Sequence, residues 1–218
     1  MPLRRLSLTL ALVLAAMAGC GPDRAATPAA PTAAPRAAAV ASTVAPPNGV
    51  DVLFAQMMVV HHAQAVRLSR TLLTRPGNTE RVARIADYIA HDQQREIDET
   101  NAWLVAWGRP AVDPADPAIA RLHGGDAAAH GMLSEVQVRE LETAAPTTTN
   151  NLFLRRMIEH HTGAITMARS ILEVGANIYI RTLAKHVINE QTAENDAMRA
   201  LLRDPPGSRT GNVRPSAG

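Results

Sequence analysis

Phe54-Ala-Gln-Met-Met58-Val-Val-His61-His62 and Phe153-Leu-Arg-Arg-Met157-Ile-Glu-His160-His161 are two versions of one pattern. Phenylalanine, methionine and a histidine pair recur at the same spacing, and Ala65 with Ala164 and Leu72 with Ile171 extend the match. Downstream, Ile89, Gln93, Glu96 and Trp103 fall on Val187, Gln191, Glu194 and Leu201. An internal repeat of this kind marks a supersecondary unit used twice. Each copy consists of two long helical patterns around a turn. The first turn, Arg75-Pro-Gly-Asn-Thr79, stops one helix with Pro and Gly and offers Asn78 or Thr79 as the cap of the next. The second, Val174-Gly-Ala-Asn177, offers Gly175 as a C-terminal cap and Asn177 as an N-cap.

The apolar stripes say which side of each helix faces inward. Phe54, Met58, His61, Ala65, Leu68 and Leu72 alternate steps of four and three, as do Phe153, Met157, His160, Ala164, Met167 and Ile171. That is the inward seam of a bundle helix. The partner helices contribute Ala86, Ile89, Gln93, Glu96, Thr100, Trp103 and Trp107, then Ala184, Val187, Gln191, Glu194, Met198 and Leu201. Two hairpins, each with one apolar face, predict an all-α four-helix bundle. The composition agrees, because 46% hydrophobic residues with only 3% aromatics suit packed helices better than sheets.

His, Gln and Glu interrupt these seams, and they do so twice. At about 1.5 Å of rise per residue, His61 and Gln93 share a level, as do His160 and Gln191, with Glu96 and Glu194 one turn away. Burying such groups costs a few kcal/mol each unless they are paired or bind something. The layer therefore reads as a metal site or as a hydrogen-bonded layer that fixes register. His61 and His160 are the candidate ligands, supported by Met58 and Met157. Gln93, Glu96, Gln191 and Glu194 are the candidate outer partners, with the carboxylates accepting the ring N–H that a metal leaves unused. His62 and His161 sit about 100° round the helix and read as interface ligands or as solvated residues. Histidine with thioether and no cysteine suits copper, Cu(I) in particular, and histidine with carboxylate suits zinc, Cu(II) or iron.

The rest of the chain frames this unit. Arg4 and Arg5 precede an apolar run, Leu6 to Ala16, of signal-peptide length, and Met17-Ala-Gly-Cys20 resembles a bacterial lipobox. Cys20 is the single cysteine and the expected lipidation site. Residues 1–19 read as a leader, 20–49 as an Ala/Pro-rich tether, 50–203 as the bundle and 204–218 as a tail. Within the bundle, repeat one covers 51–107, a linker 108–149 and repeat two 150–203. In the linker, Ser134-Glu-Val-Gln137 reads as a capping box opening a short helix to about Thr143. His123, His130 and Met132 lie there as possible extra ligands or as solvated linker. The formal charge of +2 includes Arg4 and Arg5, and no basic run with interleaved aromatics occurs, which argues against nucleic acid as a partner.

The repeated Phe…Met…His-His pattern, then Gly163-Ala-Ile165 and Met167-Ala168, then Gln-x-x-Glu on each partner helix, resembles the family called domain of unknown function 305. Met132 to Leu141 before the second copy fits the same layout. The resemblance covers about residues 50–203. It implies a ferritin-like four-helix fold, export from the cytoplasm and, in some members, copper bound through His and Met. The first copy departs from the pattern, with Leu68 where the second has Met167 and Gln64 where it has Gly163.

The expected function is thus a lipid-anchored, extracytoplasmic protein that binds copper or another divalent transition metal for storage, delivery or tolerance. The alternatives are a metalloenzyme on the same bundle and a metal-free surface lipoprotein that docks a protein partner. A di-iron enzyme of ferritin type would use Glu-x-x-His on its helices, and none occurs here, which ranks catalysis below binding. If the leader is processed at the lipobox, mass spectrometry of the native protein finds Cys20 as the first residue, carrying a diacyl group. An intact N-terminus, or an unmodified Cys20, would refute this.

Overall fold

The computed structural model describes residues 44–116, 128 and 130–204. The leader, Cys20, the tether up to 43, His123 and the tail beyond 204 lie outside the described residues. Within them the chain forms α1 (Gly49–Thr74), α2 (Glu80–Ala106), α3 (Glu135–Thr143), α4 (Pro146–Val174) and α5 (Ile178–Arg203). None of these helices is long and apolar enough to cross a membrane.

The helix ends follow local chemistry. Asn48 and Asp51 form a reciprocal capping box at α1, so Asn48 and Gly49, read above as tether, already belong to the folded unit. Thr79 caps α2, Asn177 caps α5, and Ser134 with Gln137 forms the capping box of α3. α4 starts at Pro146 rather than after Thr149, because proline is preorganised for a first helical turn. Gly175 ends α4 with an ordinary φ of −73°. Glycine is needed there for space instead, since a Cβ would stand 2.8 Å from Asp51 Oδ1.

The same caps fix the topology. The fully buried Asp51 accepts from the backbone N–H groups of Ala176 and Asn177, and Asn48 Nδ2 donates to the Val174 carbonyl. The start of α1 is therefore joined to the end of α4. At the far end Arg75 donates to the Ala144 carbonyl and Asn150 to that of Gly77. α1 and α4 thus run antiparallel, each with its hairpin partner, α2 or α5, beside it. The chain leaves α2 at one end of the bundle and enters α4 at the other, which is the single long crossover of ferritin-like bundles.

Two apolar clusters flank the middle. One holds Phe54, Met58, Trp103, Leu104, Met167, Ile171, Ile180 and Val187. The other holds Leu68, Leu72, Ile89, Leu141, Phe153, Met157, Met198 and Leu201. Each large side chain fully buried contributes roughly 1.5–3 kcal/mol relative to exposure. Every inward position named from the sequence is buried except Trp107, which is half-buried at the end of α2.

The crossover explains why the two copies differ. Gln64 on α1 clamps the Leu133 backbone, donating to its carbonyl at 2.9 Å and accepting from its N–H at 2.8 Å. At the equivalent place on α4 stands Gly163, and a Cβ there would meet the His130 carbonyl oxygen at 1.8 Å. Gly131, at a φ of +77°, completes this close approach. One helix holds the crossover and the other makes room for it.

Gly163→Ala is expected to lift the crossover from α4 and cost about 1–3 kcal/mol, as overpacking does. In thermal denaturation followed by circular dichroism the midpoint should fall by several degrees with helix content kept. Gly49→Ala, with nothing within 4 Å of its added Cβ, serves as the comparison and should leave the midpoint unchanged.

Candidate metal centre

His61 and His160 face each other where α1 and α4 cross. Their ring centroids are 3.7 Å apart and the planes are tilted by 38°. His62 and His161 are also buried, with centroids 6.5 Å from His61 and 6.1 Å from His160 respectively. Four imidazoles therefore occupy one layer at mid-height. The 100° offset does not carry His62 and His161 to solvent. It turns them from the α1–α4 contact toward the partner helix of their own hairpin.

There they meet the carboxylates. His62 Nε2 lies 2.6 Å from Glu96 Oε2, and His161 Nε2 lies 2.7 Å from Glu194 Oε2. This corrects the expectation that Glu96 and Glu194 serve His61 and His160, because that expectation followed rise along the helix and ignored direction around it. His61 uses another acceptor, its Nε2 lying 2.9 Å from the His130 carbonyl oxygen. A carbonyl can only accept, so this Nε2 carries the proton and a neutral His61 ring holds its lone pair at Nδ1. Metal-binding histidines are commonly oriented in this way by a carboxylate or backbone carbonyl on the second nitrogen.

The remaining predicted residues divide. Gln93 and Gln191 are buried at 2% exposure, and their amide atoms have no hydrogen-bond partner among the described residues. The Nδ1 atoms of His62 and His161 share that condition. Leaving a buried polar atom unsatisfied costs about 1–3 kcal/mol, so these atoms call for a further partner, such as an ion or ordered water. Met58 and Met157 are buried in separate apolar clusters, one on each side of the layer.

Two other methionines come forward, Met167 already named as an inward position and Met57 missed. Met57 and Met167, with His130, line a groove of about 300 Å³ between α1 and α4, beside the layer. The equivalent side of the α1–α4 seam is covered by α3, whose Val138 and Leu141 join the buried cluster that holds Leu68 and Met157. Met57 lies outside the repeat seam, so the repeat alone does not single it out.

Glu96 is electrostatically distinctive. Burial pushes its carboxyl up, but the charge and hydrogen bond of His62, then His186 and Arg95, outweigh that and hold it below the ordinary 4.5. Its second oxygen, Oε1, is 3.4 Å from His186 Nε2, on a helix of the other hairpin.

The family model described as a domain of unknown function, DUF305, matches residues 51–202. A DUF305 fragment from Deinococcus radiodurans is 32% identical, with a TM-score of 0.63, over 73% of this chain and 99% of that one. A DUF305 protein from Streptomyces coelicolor, described as secreted, is 31% identical with a TM-score of 0.61, over 70% of this chain and 91% of that one. CopM in its Cu(I)-bound form is 25% identical with a TM-score of 0.56, over 72% of this chain and 98% of that one. Comparison with curated proteins gives no match.

A carboxyl whose folded value is depressed adds stability that is present above its unfolded value and lost as pH falls through the folded one. The metal-free parent should therefore be more stable than Glu96→Gln at about pH 6, and the gap should close toward about pH 3. Urea midpoints across that range test this. A gap that widens on acidification would contradict it.

Proposed function

The chain belongs to the DUF305 family, and on that footing we propose that it is an extracytoplasmic lipoprotein that binds copper in its histidine layer. Storage, delivery or tolerance of the metal is the role that follows, with Cys20 as the anchor to the membrane. The observation that carries this reading is the layer itself. Four imidazoles are buried between two apolar clusters, and the Nε2 atoms of three of them lie 2.6–2.9 Å from a carboxylate or carbonyl oxygen. The Cu(I)-bound form of CopM and the secreted relative support the metal and the location.

In this reading His61 and His160 bind the metal across the α1–α4 contact, and His62 and His161 flank them. The carboxylates of Glu96 and Glu194 hold the flanking rings in one tautomer. Imidazole suits copper in either oxidation state, and thioether favours Cu(I). Met58 and Met157 lie one turn from the paired rings, while Met57 and Met167 line the groove through which an ion reaches them. A metal held here adds to stability because the unfolded chain has no such site.

Replacing His61 and His160 together by Ala should abolish Cu(I) binding in a competition titration while circular dichroism shows the helices retained. Glu96→Gln with Glu194→Gln should weaken binding by roughly 10–100-fold, as loss of outer partners does. Unchanged copper affinity in the double histidine variant would overturn the assignment. Turnover of a redox or hydrolytic substrate by the loaded protein would favour an enzyme over a binder.

A further inference from the structure

On the outer face where α2 and α5 meet, Asp92, Glu96 and His186 converge. Each offers one ligand atom, and those atoms all lie within 4.8 Å of one another. We propose that these three residues form a second cation site, for a divalent ion of the zinc class, which shares only Glu96 with the partners of the histidine layer. The site stands whether or not the layer takes copper.

The geometry is suited to an ion. Tetrahedral zinc with ligands at about 2.0–2.2 Å holds its donor atoms roughly 3.4 Å apart. His186 Nε2 is 3.4 Å from Glu96 Oε1 and 3.9 Å from Asp92 Oδ2. Small side-chain adjustments bring all three into range. Asp92 and Glu96 are spaced i, i+4 and so project from one face of α2. Their side chains are 9% and 6% exposed, whereas His186 is 44% exposed and gives access from solvent.

The buried carboxylate is only half used. Glu96 Oε2 is engaged by His62, but Oε1 has no hydrogen-bond partner among the described residues and is directed at His186. A cleft of about 300 Å³, lined by Glu96, Glu99, Tyr179, Thr182 and His186, opens on the same point and leaves room for water as a fourth ligand. Arg95 pairs with the other oxygen of Asp92, which offsets part of the negative charge and leaves Oδ2 to the site. Two carboxylates and one imidazole, without thioether or thiolate, select a borderline divalent ion over Cu(I).

The other half of the molecule supplies an internal contrast. The repeat places Tyr88, Glu190 and Glu194 at the positions of His186, Asp92 and Glu96. There Tyr88 donates its hydroxyl to Glu190 Oε1 at 2.5 Å. That hydrogen bond, first among several influences, pushes the Tyr88 pKa up to about 12, so the hydroxyl keeps its proton and satisfies the carboxylate. One half closes the cluster with a phenol, and the other opens it with an imidazole.

The purified full chain, titrated with Co(II) and read by its visible d–d absorption, tests the proposal. Co(II) should bind and be displaced by Zn(II), and both should persist in the His61→Ala/His160→Ala variant. His186→Tyr, which copies the other half, should lose more than the roughly 10–100-fold that removal of an outer partner costs, with Cu(I) binding unchanged. Asp92→Asn carries the same expectation should His186→Tyr fail to fold. The proposal is overturned if the parent binds no Co(II), if folded His186→Tyr and Asp92→Asn keep the parent's affinity and spectrum, or if the Co(II) signal vanishes with His61 and His160.

Discussion

Four imidazoles and the carboxylates of Glu96 and Glu194 lie together in the core, and that layer is the constraint from which the rest of the structure follows. An apolar core does not tolerate nitrogen atoms without acceptors, so each ring needs an acceptor from some other part of the chain. Glu96 hydrogen-bonds His62 and Glu194 lies 2.7 Å from His161 Nε2, and these pairings set the height at which α2 and α5 lie beside α1 and α4. The backbone of His130 serves His61, and this brings the crossover to mid-bundle. The apolar clusters on either side supply most of the favourable free energy, but apolar contact alone has weak directional preference. The polar layer selects one register among those the clusters would permit.

A nearly symmetric bundle has been made asymmetric by one connection. The chain has a single crossover, so only one side of the α1–α4 seam is covered by α3. Gln64 and Gly163 mark the two contacts that let this segment settle. The consequence reaches the chemistry. The side under α3 becomes apolar core around Leu68 and Met157, while among the described residues the other side keeps a groove lined by Met57, Met167 and His130. Likewise His186 and Tyr88 occupy equivalent places, yet one leaves a carboxylate oxygen to a basic nitrogen and the other satisfies it with a hydroxyl. The repeat supplies the scaffold twice, and divergence gives each copy its own chemistry.

Much was legible in the residues alone. The recurrence of Phe, Met and His-His at helical spacing required two similar hairpins, and the i, i+3, i+4 stripe named the buried face residue by residue. Asn177, Thr79 and the Ser134–Gln137 box announced their helix starts, because a capping side chain acts within its own turn. The interrupting His, Gln and Glu positions followed from the same stripes, since a periodic pattern shows its exceptions. These are properties of a single helix, and a single helix is encoded locally.

What the sequence left open depends on direction around helices and on segments far apart. Which histidine meets Glu96 is decided by the rotation of α1 against α2, and a 100° step is enough to exchange His61 for His62. That Met57 rather than Met58 lines the groove is set by the rotation of α1 against α4, and that Asp92 and His186 face each other is set by the packing of two hairpins. No periodicity within one helix carries this information. The sequence by itself determined the helices, their caps and the residues they bury. Only the tertiary structure decided which of those residues touch, because contact between distant segments is fixed when the whole layer must satisfy its polar atoms at once.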